Sequence, residues 1–115
     1  MKHTRFLASI AATSLLFSVT ALAETDKKTE RLWKAQCSSC HGPAGKGDTE
    51  KGQQMKIVDM SSAEFQAKGN DELKKAIVNG VKTEKGGVKK EMDPFKNLTP
   101  EQVDALIAYI RTFKK

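Results

Sequence analysis

Both cysteines of the chain fall in one five-residue segment, Cys37-Ser38-Ser39-Cys40-His41, with a histidine directly after the second. No other stretch restricts the fold so strongly. Two thiols three positions apart on a helix-like turn lie on one side of the backbone, where each can reach one vinyl group along the edge of a haem. A histidine just after the second thiol is carried onto the haem face, where its imidazole can bind iron. Other uses of the segment are poorly supported. One pair of cysteines allows a single disulfide at most. A thioredoxin-like redox pair needs alternating strands and helices, which do not appear here. A zinc site needs about four protein ligands, and this segment offers three.

The start of the chain is laid out for export. Lys2 and Arg5 are positive, residues 6–22 carry no charge, and Ala21-Leu22-Ala23 is a small-x-small pattern followed by a polar run. This predicts a secretory signal peptide over residues 1–23, cleaved after Ala23, and a periplasmic mature chain of residues 24–115. An uncleaved anchor is the alternative, but the stretch is short for a span and is broken by Ser9, Thr13, Ser14, Ser18 and Thr20. No stable membrane insertion is expected after cleavage. Loss of Lys2 and Arg5 takes the formal charge from +6 to +4, and His41 becomes the one remaining histidine.

The mature segment reads as one domain with about four helices and no period-two alternation beyond a few residues, so an all-α fold is expected. The first helix runs from about Asp26, as N-cap, to Cys37. Ser61-Ser62-Ala63-Glu64 has a capping-box pattern and opens a short helix to about Lys68. Asn70 caps a third, with Leu73, Ala76 and Ile77 at helical spacing and Gly80 just past its end. The last begins at Thr99-Pro100-Glu101-Gln102 and carries the apolar stripe Val103, Leu106, Ile107, Ile110 and Phe113. Loops are expected at about 42–60 and 81–98. Only 21 large apolar side chains occur in the 92 residues from Glu24. So lean a chain is marginal as an unaided globule, and a bound group at its centre is a usual remedy.

Iron held by His41 needs a second axial ligand. With one histidine in the mature chain, a second imidazole is excluded, and a thioether is the usual alternative. Met55 and Met60 lie in the first loop; Met92 follows Gly86-Gly87 and precedes the last helix. Spacing leaves all three open, with a modest preference for Met92. The sequence names no acceptor for the second nitrogen of His41.

Residues 24–115 resemble a small class I c-type cytochrome. The likeness rests on Trp33-x-x-x-Cys37-x-x-Cys40-His41-Gly42, on Gly45-Lys46-Gly47, on Met92 followed by Phe95, and on Leu98-Thr99-Pro100-Glu101 with Leu106-x-x-Tyr109-Ile110. The resemblance implies a cytochrome c fold around one covalently attached haem c. It implies thioethers from Cys37 and Cys40, His41 as proximal iron ligand and Met92 as sixth ligand. It also implies that the first and last helices cross through Trp33 and Tyr109.

One-electron transfer between redox partner proteins, as a monomer, is the expected function. Lysines 82, 85, 89, 90 and 96 around Met92, and lysines 46, 51 and 56 after the motif, fit an electropositive rim that steers an acidic partner, or simply a solvated face. Catalysis is not expected, since there is no Ser/His/Asp set and six-coordinate iron leaves no open position. Nucleic acid is not an expected partner. Asp93, between Met92 and Pro94, and the adjacent glycines motivate one alternative: a small-ligand sensor in which the sixth ligand dissociates. A dedicated electron-acceptor subunit of a dehydrogenase is another.

Overall fold

The computed structural model describes the backbone of residues 20–115 and the side chains from Lys27 onward. In chain order the elements are α1 (Thr20–Gln36), α2 (Ser38–His41), α3 (Glu50–Gln54), α4 (Ala63–Gln66), α5 (Asn70–Asn79), β1 (Val81–Lys85), β2 (Val88–Met92) and α6 (Pro100–Arg111). Most of the expected signal peptide, residues 1–19, lies outside the described residues. The first helix already begins at Thr20, so Asp26 is inside it rather than its cap. Alanine and leucine in Thr20-Ala21-Leu22-Ala23 are strong helix formers, and the helix propagates back through them when they are present.

The last helix forms as its sequence requires. The Thr99 hydroxyl accepts from the Gln102 amide, the Gln102 side chain accepts from the Thr99 amide, and Pro100 occupies the first turn. Its stripe of Val103, Leu106, Ile107 and Ile110 is buried and packs with Trp33 of α1 and with Leu73 and Ile77 of α5. The Trp33 ring, 1% exposed, lies 5.9 Å from Tyr109 and 5.1 Å from Phe113, which sets the α1–α6 crossing.

Two cap assignments shift by one residue. Ser62, not Ser61, caps α4 by accepting from the Phe65 amide, because Ser61 is engaged by Asp59 through both its amide and its hydroxyl. That helix ends at Gln66, short of Lys68. Gly69 occupies the cap of α5, and Asn70 is its first helical residue. The Asn70 side-chain oxygen instead accepts from Arg111, at 2.8 Å from Nη2. The same guanidinium donates to the carbonyls of Gln66 and Lys68, tying the α4–α5 junction to the end of α6.

The fold is mainly helical, and the two expected loops contain more order than period-two patterning revealed. In the first, Thr49 caps the short α3. In the second, β1 and β2 form an antiparallel hairpin with Val81 opposite Met92 and Lys85 opposite Val88. Gly86 and Gly87 both have positive φ, as a two-residue turn matched to the strand twist requires. Four of the five β1 residues are exposed, so no alternation of apolar side chains marks that strand.

Candidate functional site

Residues 37–41 are held by backbone hydrogen bonds from both sides. The Cys37 amide donates to Trp33, continuing the direction of α1, and the His41 amide donates back to Cys37, closing one turn over the two thiols. The carbonyls at the end of that turn are then taken one by one. Thr49 donates its hydroxyl to the Cys40 carbonyl at 2.7 Å, and the Gly47 amide donates to that of His41 at 2.8 Å. The Trp33 indole N–H donates to the Gly42 carbonyl at 3.1 Å. Each bond satisfies an acceptor that the end of a helix leaves open. Thr49 thus caps α3 and anchors the cysteine turn with one hydroxyl, a role its loop position in the sequence did not reveal.

The turn faces a cavity of about 450 Å³. Its apolar wall is assembled from several elements: Trp33 from α1, Val58 and Met60 from the first loop, Phe65 from α4, Leu73 and Ile77 from α5, and Leu106 and Ile110 from α6. The charged residues Glu64, Lys68, Glu72 and Lys90 also line it, as does Val58, which is 44% exposed, so it opens to solvent. Among the residues expected from sequence, Cys37, His41 and Met92 all line this cavity. Met60 joins them. Met55 does not; it ends α3 outside the lining. Cys40 lies at the turn without entering the lining, its Sγ 4.0 Å from the Ser39 hydroxyl.

The donor chemistry suits a large flat apolar group with a metal. Both cysteines are free thiols, and burial pushes the Cys37 thiol up to about 11, so it keeps its proton at neutral pH. Burial lowers the His41 pKa, which leaves a neutral imidazole with a free lone pair. Its Nδ1 is buried and has no hydrogen-bond partner among the described residues, and the ring rests 5.9 Å from that of Trp33. A neutral imidazole beside the Cys37 thiol and the Met60 and Met92 thioethers in an apolar cavity fits a haem. Among the described residues no cluster of three or more His, Cys, Asp and Glu side chains offers an alternative metal site.

Comparison with known proteins decides the family. A profile described as Cytochrome c matches residues 27–114. The chain belongs to the cytochrome c family. It is also similar to a solved structure titled KustC0563 c-type cytochrome, with 32% sequence identity and a TM-score of 0.62. That match covers 76% of this chain and 98% of the other. A comparison with curated proteins found no match. Cytochromes c carry haem c with its iron, covalently attached at a C-x-x-C-H motif, and Cys37, Cys40 and His41 fit that motif. The cytochrome c assignment makes this a haem protein of electron transfer.

Proposed function

We propose that the mature chain, residues 24–115 after export and cleavage behind Ala23, carries single electrons between redox proteins in the periplasm. The observation that supports this best is the cavity lining, which includes His41 from the cysteine turn and Met92 from the hairpin. When bound, haem supplies the one-electron couple of its iron. Cys37 and Cys40 would hold the haem covalently through thioethers, and His41 and Met92 would hold its iron. His41 offers a neutral imidazole and Met92 a neutral thioether, a pair that favours a raised reduction potential. Both donors sit on hydrogen-bonded backbone, in a turn and at a strand end, so they need little rearrangement when one electron enters or leaves.

The partner's docking face is acidic in this reading. Lys82, Lys85 and Lys89 are exposed on the hairpin that ends in Met92, Lys90 lines the cavity, and Lys96 follows nearby. They outnumber Glu84, Glu91 and Asp93, and a local positive field of this kind raises association rates with an acidic surface.

Redox titration of the purified protein with optical spectra tests the proposal. The expected result is a reversible one-electron transition, with a sulfur-to-ferric-iron absorption band that Met92→Ala removes and Met60→Ala retains. A colourless mature protein refutes the haem carrier, and a band that disappears with Met60→Ala instead refutes Met92 as the ligand.

A further inference from the structure

Met92 does not reach the cavity from a loose loop. It is the last residue of β2, paired with Val81 at the start of β1, and Val81 follows Gly80 at the end of α5. The end of α5 and the segment after Met92 are in contact twice. The Phe95 amide donates to the Ile77 carbonyl at 2.9 Å, in the last turns of α5. Gly80 lies directly against the backbone of the methionine and its two successors. A Cβ at Gly80 would stand 2.5 Å from the Met92 carbonyl oxygen, 2.9 Å from the Pro94 nitrogen and 3.1 Å from the Asp93 carbonyl carbon. These neighbours are backbone atoms, which no rotamer change moves aside. Gly80 also has φ +74°, a conformation that disfavours residues with a Cβ.

We propose that Gly80 is the positioning residue for Met92. Its missing side chain lets the 92–94 backbone lie against the end of α5, and that contact sets how far the thioether reaches into the cavity shared with His41. The inference rests on Met92 being the axial ligand. Any side chain at position 80 has to displace the Met92 carbonyl, and a displacement passed on to the sulfur weakens a metal–thioether bond.

Gly86 provides an internal control. It has φ +60° at the tip of the same hairpin, but a Cβ there meets nothing within 4 Å. Gly80→Ala and Gly86→Ala therefore share the backbone cost and differ in the clash. In the haem-loaded full chain, Gly80→Ala should lose the sulfur-to-ferric-iron band and bind carbon monoxide when reduced. Gly86→Ala, like the unsubstituted protein, should keep the band and exclude carbon monoxide. If Gly80→Ala does not fold, Gly80→Asn carries the test with the same expected losses, because asparagine tolerates positive φ while still bearing a Cβ. Retention of the band with exclusion of carbon monoxide in the Gly80 variant overturns the proposal. Equal loss in the Gly80 and Gly86 variants also overturns it, since loop strain then accounts for both. Failure of the underlying reading is separable: Met92→Ala leaves Gly80 in place, and a band that survives it removes Met92 as ligand whatever the Gly80 variants do.

Discussion

Replacing Cys37 and Cys40 by alanine and purifying the chain free of haem tests whether the cavity is an unfinished core. The cavity measures about 450 Å³. At about 24 cal/mol per Å³ of void, leaving it unfilled costs ~11 kcal/mol. That figure is a ceiling, because the charged residues in the lining open the cavity to water. A folded domain of this length has a total stability of about 5–14 kcal/mol. Half the ceiling already matches the lower end of that range. The substitutions themselves remove little packing, so the loss follows from the missing group. The haem-free variant is expected to keep helical far-ultraviolet circular dichroism, lose the near-ultraviolet signal of Trp33, bind a hydrophobic dye and show no cooperative heat absorption on melting. A cooperative calorimetric transition with a native near-ultraviolet spectrum in that variant would refute the reasoning, since the chain would then complete its own core.

Two further predictions concern parts of the fold away from the cavity. Thr99→Ala removes the hydroxyl that accepts from the Gln102 amide. The expected loss is about 1 kcal/mol, read as a Tm lower by roughly 4–8 °C with an unchanged visible spectrum; an unchanged Tm counts against the cap. The Asp59 carboxyl is held below its ordinary range, first by the Ser61 hydroxyl, then by the Ser61 amide, with Lys115 and Lys46 adding attraction. A depressed folded value means that its contribution is complete above the unfolded value of about 3.9 and is lost as pH falls through the folded value. Asp59→Asn should therefore flatten the acid side of the stability profile below about pH 4, and an unaltered acid slope would show that this carboxylate contributes nothing.

The sequence disclosed the parts of this molecule that depend on side-chain identity at fixed spacing. The cysteine turn and the α6 cap each depend on particular side chains and appear where the residues place them, and the crossing of Trp33 with Tyr109 that the family resemblance implied is present as well. The hairpin is different in kind. Its strands are held by ladder hydrogen bonds and a Gly-Gly turn, with β1 almost wholly exposed, so no apolar period records it. Gly86-Gly87 was the legible signal, and a two-residue glycine turn between short segments is a hairpin cue even without alternation. Likewise, the caps at Ser61 and Asn70 were displaced by partners distant or unmarked in sequence: Asp59 engages the first, and Arg111 the second from 41 residues away.

The methionines, which spacing left open with a modest preference for Met92, are separated by the same distinction. Met60 and Met92 both line the cavity, but they are presented differently. Met60 is 8% exposed and its side chain is a member of the buried core cluster. Met92 is only half-buried and ends a strand whose other inward residues are Val88 and Lys90. The backbone of Met92 is held by the hairpin ladder and by its close approach to Gly80 at the end of α5. Anchorage on the hairpin and at Gly80 is the reason Met92 rather than Met60 is proposed as the ligand, and that anchorage is a property of the backbone rather than of the spacing of the methionines.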